Sequence, residues 1–232
     1  MLKNLCERNP VITRRFIRLL GILTVFLFAH AVAYGQTRSE NLPPVNAGLT
    51  GVHTVQILIA YQSKYGSTRE YAQWIQHDLG GDIVNIEKEN IPDLAGYDII
   101  VIGGYVRAGK IVVSSFLQEN WKVIKGKALV LFTTSGTPPH HPKIRTFYEK
   151  SLPDEIRQEI LYFPLPGRMA TTKLTWFDTL LVAIGKALEE DETLKRDMGK
   201  DFDGVRREHL VPLLEYLHDV KRLLAEEQGQ HR

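Results

Sequence analysis

Cysteine is almost absent from this sequence. Cys6 is the only one among 232 residues, and it precedes an apolar run in a stretch that we place outside the folded domain. A domain without cysteine has no disulfide, no thiolate nucleophile and no cysteine-ligated metal. Any redox chemistry would therefore depend on a bound cofactor.

An excess of charge of one sign is also missing. Lysine and arginine number 29 against 27 aspartates and glutamates, a net charge of +2, and no basic run with interleaved aromatics appears. These features argue against a nucleic-acid partner. His140 and His141 lie next to each other between prolines, without an acidic residue or a third histidine at ligand spacing. We therefore predict no metal site.

Three enzyme signatures are absent as well. The sequence contains neither the Gly-x-x-x-x-Gly-Lys-Ser/Thr loop nor the Gly-x-Gly-x-x-Gly fingerprint, which excludes two common modes of nucleotide binding. Ser135-Gly136 lacks the first glycine of a Gly-x-Ser-x-Gly elbow, so a serine hydrolase has no support.

The first 53 residues differ in kind from the rest. Basic residues precede an apolar run at 19–28, and small residues follow at Ala29, Ala31, Ala33 and Gly35. This order predicts a signal peptide over residues 1–35, with a polar linker at 36–53 rich in Pro, Gly and Asn. The apolar stretch 19–34 is slightly short of the ~20 residues that span a bilayer, so an uncleaved membrane anchor is the alternative. Both interpretations predict a domain exported to the periplasm or held at the membrane.

Residues 54–79 form the most informative stretch. Val55, Ile57 and Ile59 belong to a nearly continuous apolar run typical of a buried strand. A polar loop at 63–68 follows, and then a helical pattern begins. The free N–H groups and the dipole at a helix N-terminus favour an anion, and Gly66 allows a tight turn. An ordinary serine-capped helix is the alternative interpretation.

Strand and helix patterns alternate through the rest of the chain. We predict further strands at 82–86, 98–103, 127–133 and 160–165, a helix at 113–124 and an irregular segment at 135–142. A closing helix is predicted at 205–224, in which Pro212 either causes a kink or marks the first turn. This alternation predicts an α/β fold with a parallel sheet. With the strand order 2-1-3-4-5, the loops at 62–68, 103–110 and 133–142 would meet at the carboxyl edge, where ligands bind.

The loop spacing Ser63-x-x-Gly66-x-Thr68 resembles the flavodoxin loop that holds the phosphate of FMN. With the segment IGGYVRAGK and the five-strand pattern, residues 54–225 resemble the flavodoxin-like FMN-binding family, a three-layer α/β/α fold, leaving a tail at 226–232. Within that family the chain is similar to bacterial menaquinone-dependent protoporphyrinogen oxidases. The similarity lies in the glycine, aromatic, arginine, glycine run after the third strand and the helix with Phe116 that follows it. It lies also in an insertion at about 168–202, which contains Trp176-Phe177-Asp178 and an apolar helix.

The resemblance implies non-covalent FMN, with Tyr105 as the candidate to stack on its ring. The implied cofactor-binding residues are Ser63, Lys64, Tyr65, Gly66, Ser67, Thr68, Gly103, Gly104, Tyr105, Val106, Arg107, Thr133, Thr134, Ser135 and Gly136. The implied substrate-binding residues are Arg107, Arg168 and Lys173.

The expected function is an FMN-dependent oxidoreductase that passes electrons from an apolar, carboxylate-bearing donor, such as a tetrapyrrole, to a quinone. A flavodoxin-type electron carrier serving redox partner proteins is the first alternative, and a non-catalytic binding module at the envelope is the second. The apolar stripe of the insertion helix fits either packing against its own sheet or a second subunit, or a lip for a quinone or tetrapyrrole.

Overall fold

A computed structural model describes residues 54–230. The predicted signal peptide or anchor at 1–35 and the linker at 36–53 lie outside the described residues. Between residues 54 and 230, none of the helices combines the length and the apolar character that a membrane crossing requires.

The sheet is the centre of the fold. Its parallel strands are β1 (Ile57–Tyr61), β2 (Asp82–Asn85), β3 (Ile99–Arg107), β5 (Ala128–Ser135) and β6 (Leu161–Pro166). They lie in the order β2-β1-β3-β5-β6, which is the predicted order 2-1-3-4-5 when the parallel strands are counted along the chain. The β-branched residues of β1 and β3 are buried on both faces, as a strand between two helical layers requires.

Helices cover both faces of the sheet. They are α1 (Ser67–Leu79), α2 (Ser114–Glu119), α3 (Trp121–Ile124), α4 (Pro142–Ser151), α5 (Asp154–Glu159), α6 (Trp176–Ala187), α7 (Glu192–Asp197) and α8 (Val211–Gln230). Short 3₁₀ turns lie at Leu94–Gly96, Thr171–Lys173 and Arg207–Leu210. One core cluster joins the sheet to α1 and α8, and the other joins it to α2, α3 and α5. The three-layer fold is thus confirmed.

Residues 104–107 correct the sequence interpretation, because they continue β3 rather than begin a loop. Arg107 pairs with Lys110 in the short antiparallel strand β4 (Lys110–Ile111). The connecting residues Ala108 and Gly109 have φ of 48° and 75°, the left-handed conformation that a two-residue hairpin turn needs. The predicted loop is therefore a hairpin at the end of β3.

Two helices and the start of a third also differ from the prediction. Helices α4 and α5 were not predicted, and each begins beside a proline: Pro142 is in the first turn of α4 and Pro153 is the N-cap of α5. The closing helix begins at Val211 rather than at 205. Pro212 therefore marks its first turn, the second of the two predicted alternatives, where proline needs no helical N–H partner. Within the insertion, β7 (Arg168–Met169) and β8 (Phe202–Asp203) form a separate antiparallel pair.

Candidate functional site

The three predicted loops meet at the carboxyl edge of the sheet. The amide of Gln62, just after β1, donates to the carbonyl of Gly103 in β3 at 2.9 Å. The hydroxyl of Thr68 lies 3.2 Å from the carbonyl oxygen of Gly104 and 3.0 Å from the hydroxyl of Thr134 in β5. Segments that are far apart in sequence are therefore joined by direct hydrogen bonds.

The loop at 63–68 presents the N-terminus of α1 without a side-chain cap. The N-cap residue is Gly66, with φ of 94°, and no side chain accepts from the first turn of the helix. The alternative of a serine-capped helix is therefore wrong. The hydroxyl oxygen of Ser63 is buried and has no hydrogen-bond partner among the described residues. Free helix amides beside an unpartnered hydroxyl form a suitable site for a phosphate group.

A cavity of about 300 Å³ opens beside this loop. Four of its lining residues are cationic, and none is acidic: the lining consists of Ser63, Lys64, Tyr65, Gly66, Arg69, Asn85, Lys88 and Lys173. The sequence analysis missed the contributions of Arg69, Asn85 and Lys88. Lys173 lies on the cavity next to residues 63–68, which we call the phosphate loop; its predicted role in binding substrate stays a prediction. This concentration of positive charge favours an anionic ligand.

Asp178 of α6 reaches the same loop from the insertion. Its side chain is nearly buried, at 7% exposure, and its carboxylate accepts hydrogen bonds from Lys64 Nζ and Tyr65 OH. Arg107 donates to the carboxylate from Nε at 3.0 Å and from Nη2 at 2.6 Å, and Thr175 Oγ1 donates at 2.9 Å. One carboxylate therefore joins the phosphate loop, the end of β3 and the start of α6.

The charges around Asp178 shift its ionisation. Burial alone raises the pKa of the Asp178 carboxyl, but the hydrogen bonds from Lys64, Tyr65, Arg107 and Thr175 outweigh burial and hold that pKa well below its usual 3.8. The same contacts raise the pKa of Lys64 and of Arg107. Asp178 is therefore ionised at neutral pH.

The residues at the end of β3 point in different directions. Tyr105 is half-buried, and burial raises the pKa of its phenol. Val106 packs against the core cluster under α2 and α3, so it does not face the loop at 63–68. The guanidinium of Arg107 lies 5.3 Å from the ring centroid of Phe177 as well as on Asp178. Tyr105 and Arg107 are thus the members of this segment placed near the predicted site.

Gly103 and Gly104 serve close packing. A Cβ at Gly103 would lie 2.3 Å from Phe132, and one at Gly104 would lie 2.8 Å from Val113. The insertion partly covers the loop at 133–142, since a Cβ at Gly136 would lie 3.3 Å from Phe202. In the same segment, the hydroxyl of Thr133 is hydrogen-bonded to the hydroxyl of Tyr162. The hydroxyl of Ser135 donates to the carbonyl of residue 137.

Arg168 is tied to neighbouring acidic residues. Its guanidinium pairs with Glu70 at 2.8 Å and with Asp203 at 3.2 Å. Its backbone amide donates to the hydroxyl of Ser67 at 3.1 Å, which gives the insertion another link to the phosphate loop. A role for Arg168 in binding substrate stays a prediction.

Comparison with known proteins assigns the chain to a family. A family model described as a flavodoxin domain matches residues 58–195. This chain belongs to the flavodoxin domain family. No curated protein matches it. The family supports the predicted FMN cofactor.

Solved structures similar to this flavodoxin domain are distant in sequence. The flavodoxin, WrbA-like protein from Agrobacterium tumefaciens is 15% identical, with a TM-score of 0.38 over 55% of this chain and 90% of that one. A flavoprotein in complex with FMN from Lactobacillus acidophilus is 18% identical, with a TM-score of 0.35 over 49% and 93%. Oxidised flavodoxin 2 from Bacillus cereus is 19% identical, with a TM-score of 0.34 over 58% and 100%. Similarity at this level does not identify a substrate or partner.

The insertion gives the flavodoxin domain an exposed apolar surface. Along α6 and just beyond it, Trp176 is 78% exposed and Leu188 is 76% exposed, and Phe177, Leu180 and Ile184 are each more than 40% exposed. The interpretation that this stripe packs against the domain's own sheet is therefore wrong. We call these five residues the apolar face of α6.

One of the paired histidines, His141, has two hydrogen-bond partners. His141 caps α4 by accepting from the amide of Lys143 at 3.2 Å, and its other ring nitrogen lies 3.2 Å from Asp191. Within residues 54–230, no group of three or more His, Cys, Asp or Glu residues could hold a metal ion. His141 therefore joins the loop after β5 to the far end of the insertion.

Proposed function

We propose that this flavodoxin domain is an FMN-dependent oxidoreductase that passes electrons from an apolar, carboxylate-bearing donor to a quinone, as in the menaquinone-dependent protoporphyrinogen oxidases. The observation that carries the proposal is the cationic cavity at the uncapped N-terminus of α1. Its donor set fits a phosphate group, and it lies beside the converging ends of β1, β3 and β5.

The phosphate of FMN is assigned to the loop at 63–68. Ser63 supplies an unpartnered buried hydroxyl, and the first amides of α1 supply further donors. Arg69 and Lys88 on the cavity wall neutralise the dianion. Tyr105 and the residues at 133–136 would flank the ring. When bound, FMN supplies the transfer of two electrons from donor to acceptor.

The apolar face of α6 suits the donor and the quinone. Both are large and apolar, and a contiguous exposed stripe of this kind marks an interaction site in a soluble domain. Lys173, which lies on the cationic cavity and shortly before α6 in sequence, is the residue assigned to a donor carboxylate. The exposed face and the cation together favour an apolar molecule that carries an acidic group.

The first test is the visible spectrum of the purified full-length protein, followed by titration with FMN. Arg69→Ala should weaken FMN binding by about 1.5–3 kcal/mol, the usual contribution of a hydrogen bond to a charged group. Arg145→Ala is the matched control, because that side chain is 84% exposed on α4 and pairs with Glu149. A colourless protein that takes up no FMN would contradict the proposal and leave the non-catalytic binding module.

The second test is oxidation of protoporphyrinogen by the FMN-loaded protein with menaquinone as acceptor. Lys173→Ala should raise KM with little change in kcat, whereas Lys200→Ala, a control within the insertion paired to Asp197, should change neither. Failure of the wild-type protein in this assay, together with rapid electron exchange with a flavodoxin reductase, would favour a carrier.

One observation favours the electron carrier. Arg107 and Arg168, both predicted to bind substrate, are held by carboxylates of the domain itself. If these ion pairs persist in the FMN-loaded protein, neither arginine is available to bind a donor carboxylate. A donor with two carboxylates, as the oxidoreductase hypothesis requires, would then meet fewer free cations. The reductase assay above decides between the two functions.

We propose that the domain is exported or held at the membrane by residues 1–35, as the signal-like pattern of that segment predicts. Its quinone or protein partner would then be met at the envelope. N-terminal sequencing of native protein from the membrane and exported fractions distinguishes anchoring from cleavage. Full-length protein recovered free in the cytosol would contradict both.

A further inference from the structure

We propose that Asp178 is a positioning residue that fastens the insertion to the phosphate loop, so that FMN binding and docking of the insertion stabilise each other. The inference rests on the proposed binding of FMN at residues 63–68. It assigns the insertion a part in holding the cofactor, in addition to any contact with a substrate.

Three separate parts of the domain meet at the carboxylate of Asp178. Asp178 accepts from Lys64 and Tyr65 of the phosphate loop, from Arg107 at the end of β3 and from Thr175 at the start of α6. At 7% exposure it is the most buried charged residue among those described. A carboxylate so enclosed needs these partners, because removing them would leave a buried charge uncompensated.

The contacts with the insertion use only some of the polar side chains of the phosphate loop. Asp178 holds the side chains of residues 64 and 65, whereas the hydroxyl of Ser63 has no partner. The insertion also reaches the loop through the amide of Arg168, which donates to Ser67 Oγ. The loop is therefore tied to the insertion at Lys64, Tyr65 and Ser67, and the Ser63 hydroxyl is left available to a ligand.

The consequence is preorganisation. A loop whose side chains are already immobilised loses less conformational entropy when it closes on a phosphate. Because coupling between two binding events is reciprocal, FMN must in turn stabilise the docked insertion. Without Asp178, the bond from the Arg168 amide to Ser67 Oγ would remain, and the ordering of the loop would be coupled less strongly to that of the insertion.

A purely electrostatic role for Asp178 predicts the opposite sign. A negative charge bonded to Lys64 opposes the approach of a phosphate dianion, so its removal would tighten FMN binding. Positioning predicts weaker binding. The sign of the change in FMN affinity in Asp178→Asn therefore separates the two roles.

The experiment measures the FMN dissociation constant of the full-length protein by flavin fluorescence quenching, with hydrogen exchange recorded with and without FMN. Asp178→Asn should bind FMN about tenfold more weakly, and exchange in residues 63–68 and 171–188 should rise even without FMN. In the wild-type protein, FMN should slow exchange in both segments. In the variant, the effect on 171–188 should be lost.

Asp201→Asn is the matched control. Asp201 carries the same charge within the insertion but accepts only from the amide and hydroxyl of Thr171, at 2.7 and 2.6 Å. It should leave FMN affinity within about twofold of wild type. Lys64→Met provides a second approach from the opposite partner, and the double variant should lose less than the sum of the two single losses.

Unchanged or tighter FMN binding in Asp178→Asn would overturn the proposal. So would equal losses in Asp178→Asn and Asp201→Asn. If the wild-type protein binds no FMN, the proposed function fails. In that case, faster hydrogen exchange at 63–68 in Asp178→Asn would still show that Asp178 orders the loop. The proposed coupling to FMN binding would be overturned.

Discussion

The sheet and the insertion are stabilised in different ways. Leu58, Ile59, Ile100 and Ile102 in the central strands are fully buried, and the two core clusters consist of apolar side chains. Asp178 is the only residue of α6 that is buried, while the apolar residues along one side of that helix face outward. Burial of apolar surface stabilises the sheet, and hydrogen bonds and ion pairs fasten the insertion.

The two kinds of contact respond to different conditions. Apolar burial depends weakly on pH and salt, whereas an ion pair depends on the protonation of its members and on screening. The far end of the insertion follows the same pattern, since Lys143 of α4 pairs with Glu189 and His141 pairs with Asp191. The fold and the order of the insertion should therefore be separable by experiment.

The largest difference should appear when a phenylalanine is truncated in each region. Phe132→Ala in β5 removes a fully buried ring and should lower the free energy of unfolding by about 3–5 kcal/mol. Phe177→Ala in α6, where the ring is 43% exposed, should lower it much less. Urea denaturation followed by circular dichroism measures both. Losses of equal size would contradict the comparison.

An added methyl group should have the next largest effect. Gly103→Ala places a Cβ 2.3 Å from the ring of Phe132, and overpacking of this kind destabilises a core by about 1–3 kcal/mol. Gly96→Ala is the control, because its Cβ would meet nothing within 4 Å. If Phe132→Leu in the same chain fails to recover part of the loss, the clash is not the cause.

Acid should affect the insertion through Asp178. The pKa of Asp178 is lower in the folded protein than its usual 3.8, so its ionised contacts stabilise the docked insertion fully above about pH 4 and weaken as the pH falls further. The indole N–H signal of Trp176 should shift in this range, and that of Trp74, which packs against Tyr71 in α1, should shift less. Asp178→Asn should abolish the pH dependence at Trp176. A shift that persists in this variant would assign the effect to another group.

The smallest effect should come from the apolar face. Leu188 is 76% exposed, so Leu188→Ser should change the free energy of unfolding by no more than about 0.5 kcal/mol. Leu117→Ser, at a fully buried position of α2, provides the contrast and should be strongly destabilising. A clear loss of stability in Leu188→Ser would mean that this face is covered in solution.

The apolar strands made the core predictable. Continuous apolar runs such as 98–103 are typical of strands that helices cover on both faces. The alternation of these runs with helical patterns predicted a parallel sheet. The loop at 63–68 was identified because its signal is contiguous in sequence. The hairpin at 104–111 was missed because glycines and a tyrosine imitate a loop. Helix α4 was missed because Pro142 suggested irregular structure, although proline is favoured in a first helical turn.

Asp178 illustrates what local patterns do not contain. Its partners Lys64, Tyr65 and Arg107 lie 114, 113 and 71 positions away, and nothing near residue 178 indicates a buried carboxylate. The outward direction of Leu180 and Ile184 was equally hidden. An amphipathic stripe in a sequence shows that a helix has an apolar side, but not whether the domain itself covers that side.

The shared direction of the parallel strands also determines how the molecule can be attached to a surface. The first strand begins at the edge of the sheet opposite the cavity, so a tether joined before residue 54 leaves from the far end of the domain. On a gold electrode, attachment through that end would turn the cationic cavity and the apolar face toward the solution. Attachment through a cysteine introduced at Leu188 would turn them toward the metal. Comparing electron-transfer rates in the two orientations would indicate the edge through which electrons leave.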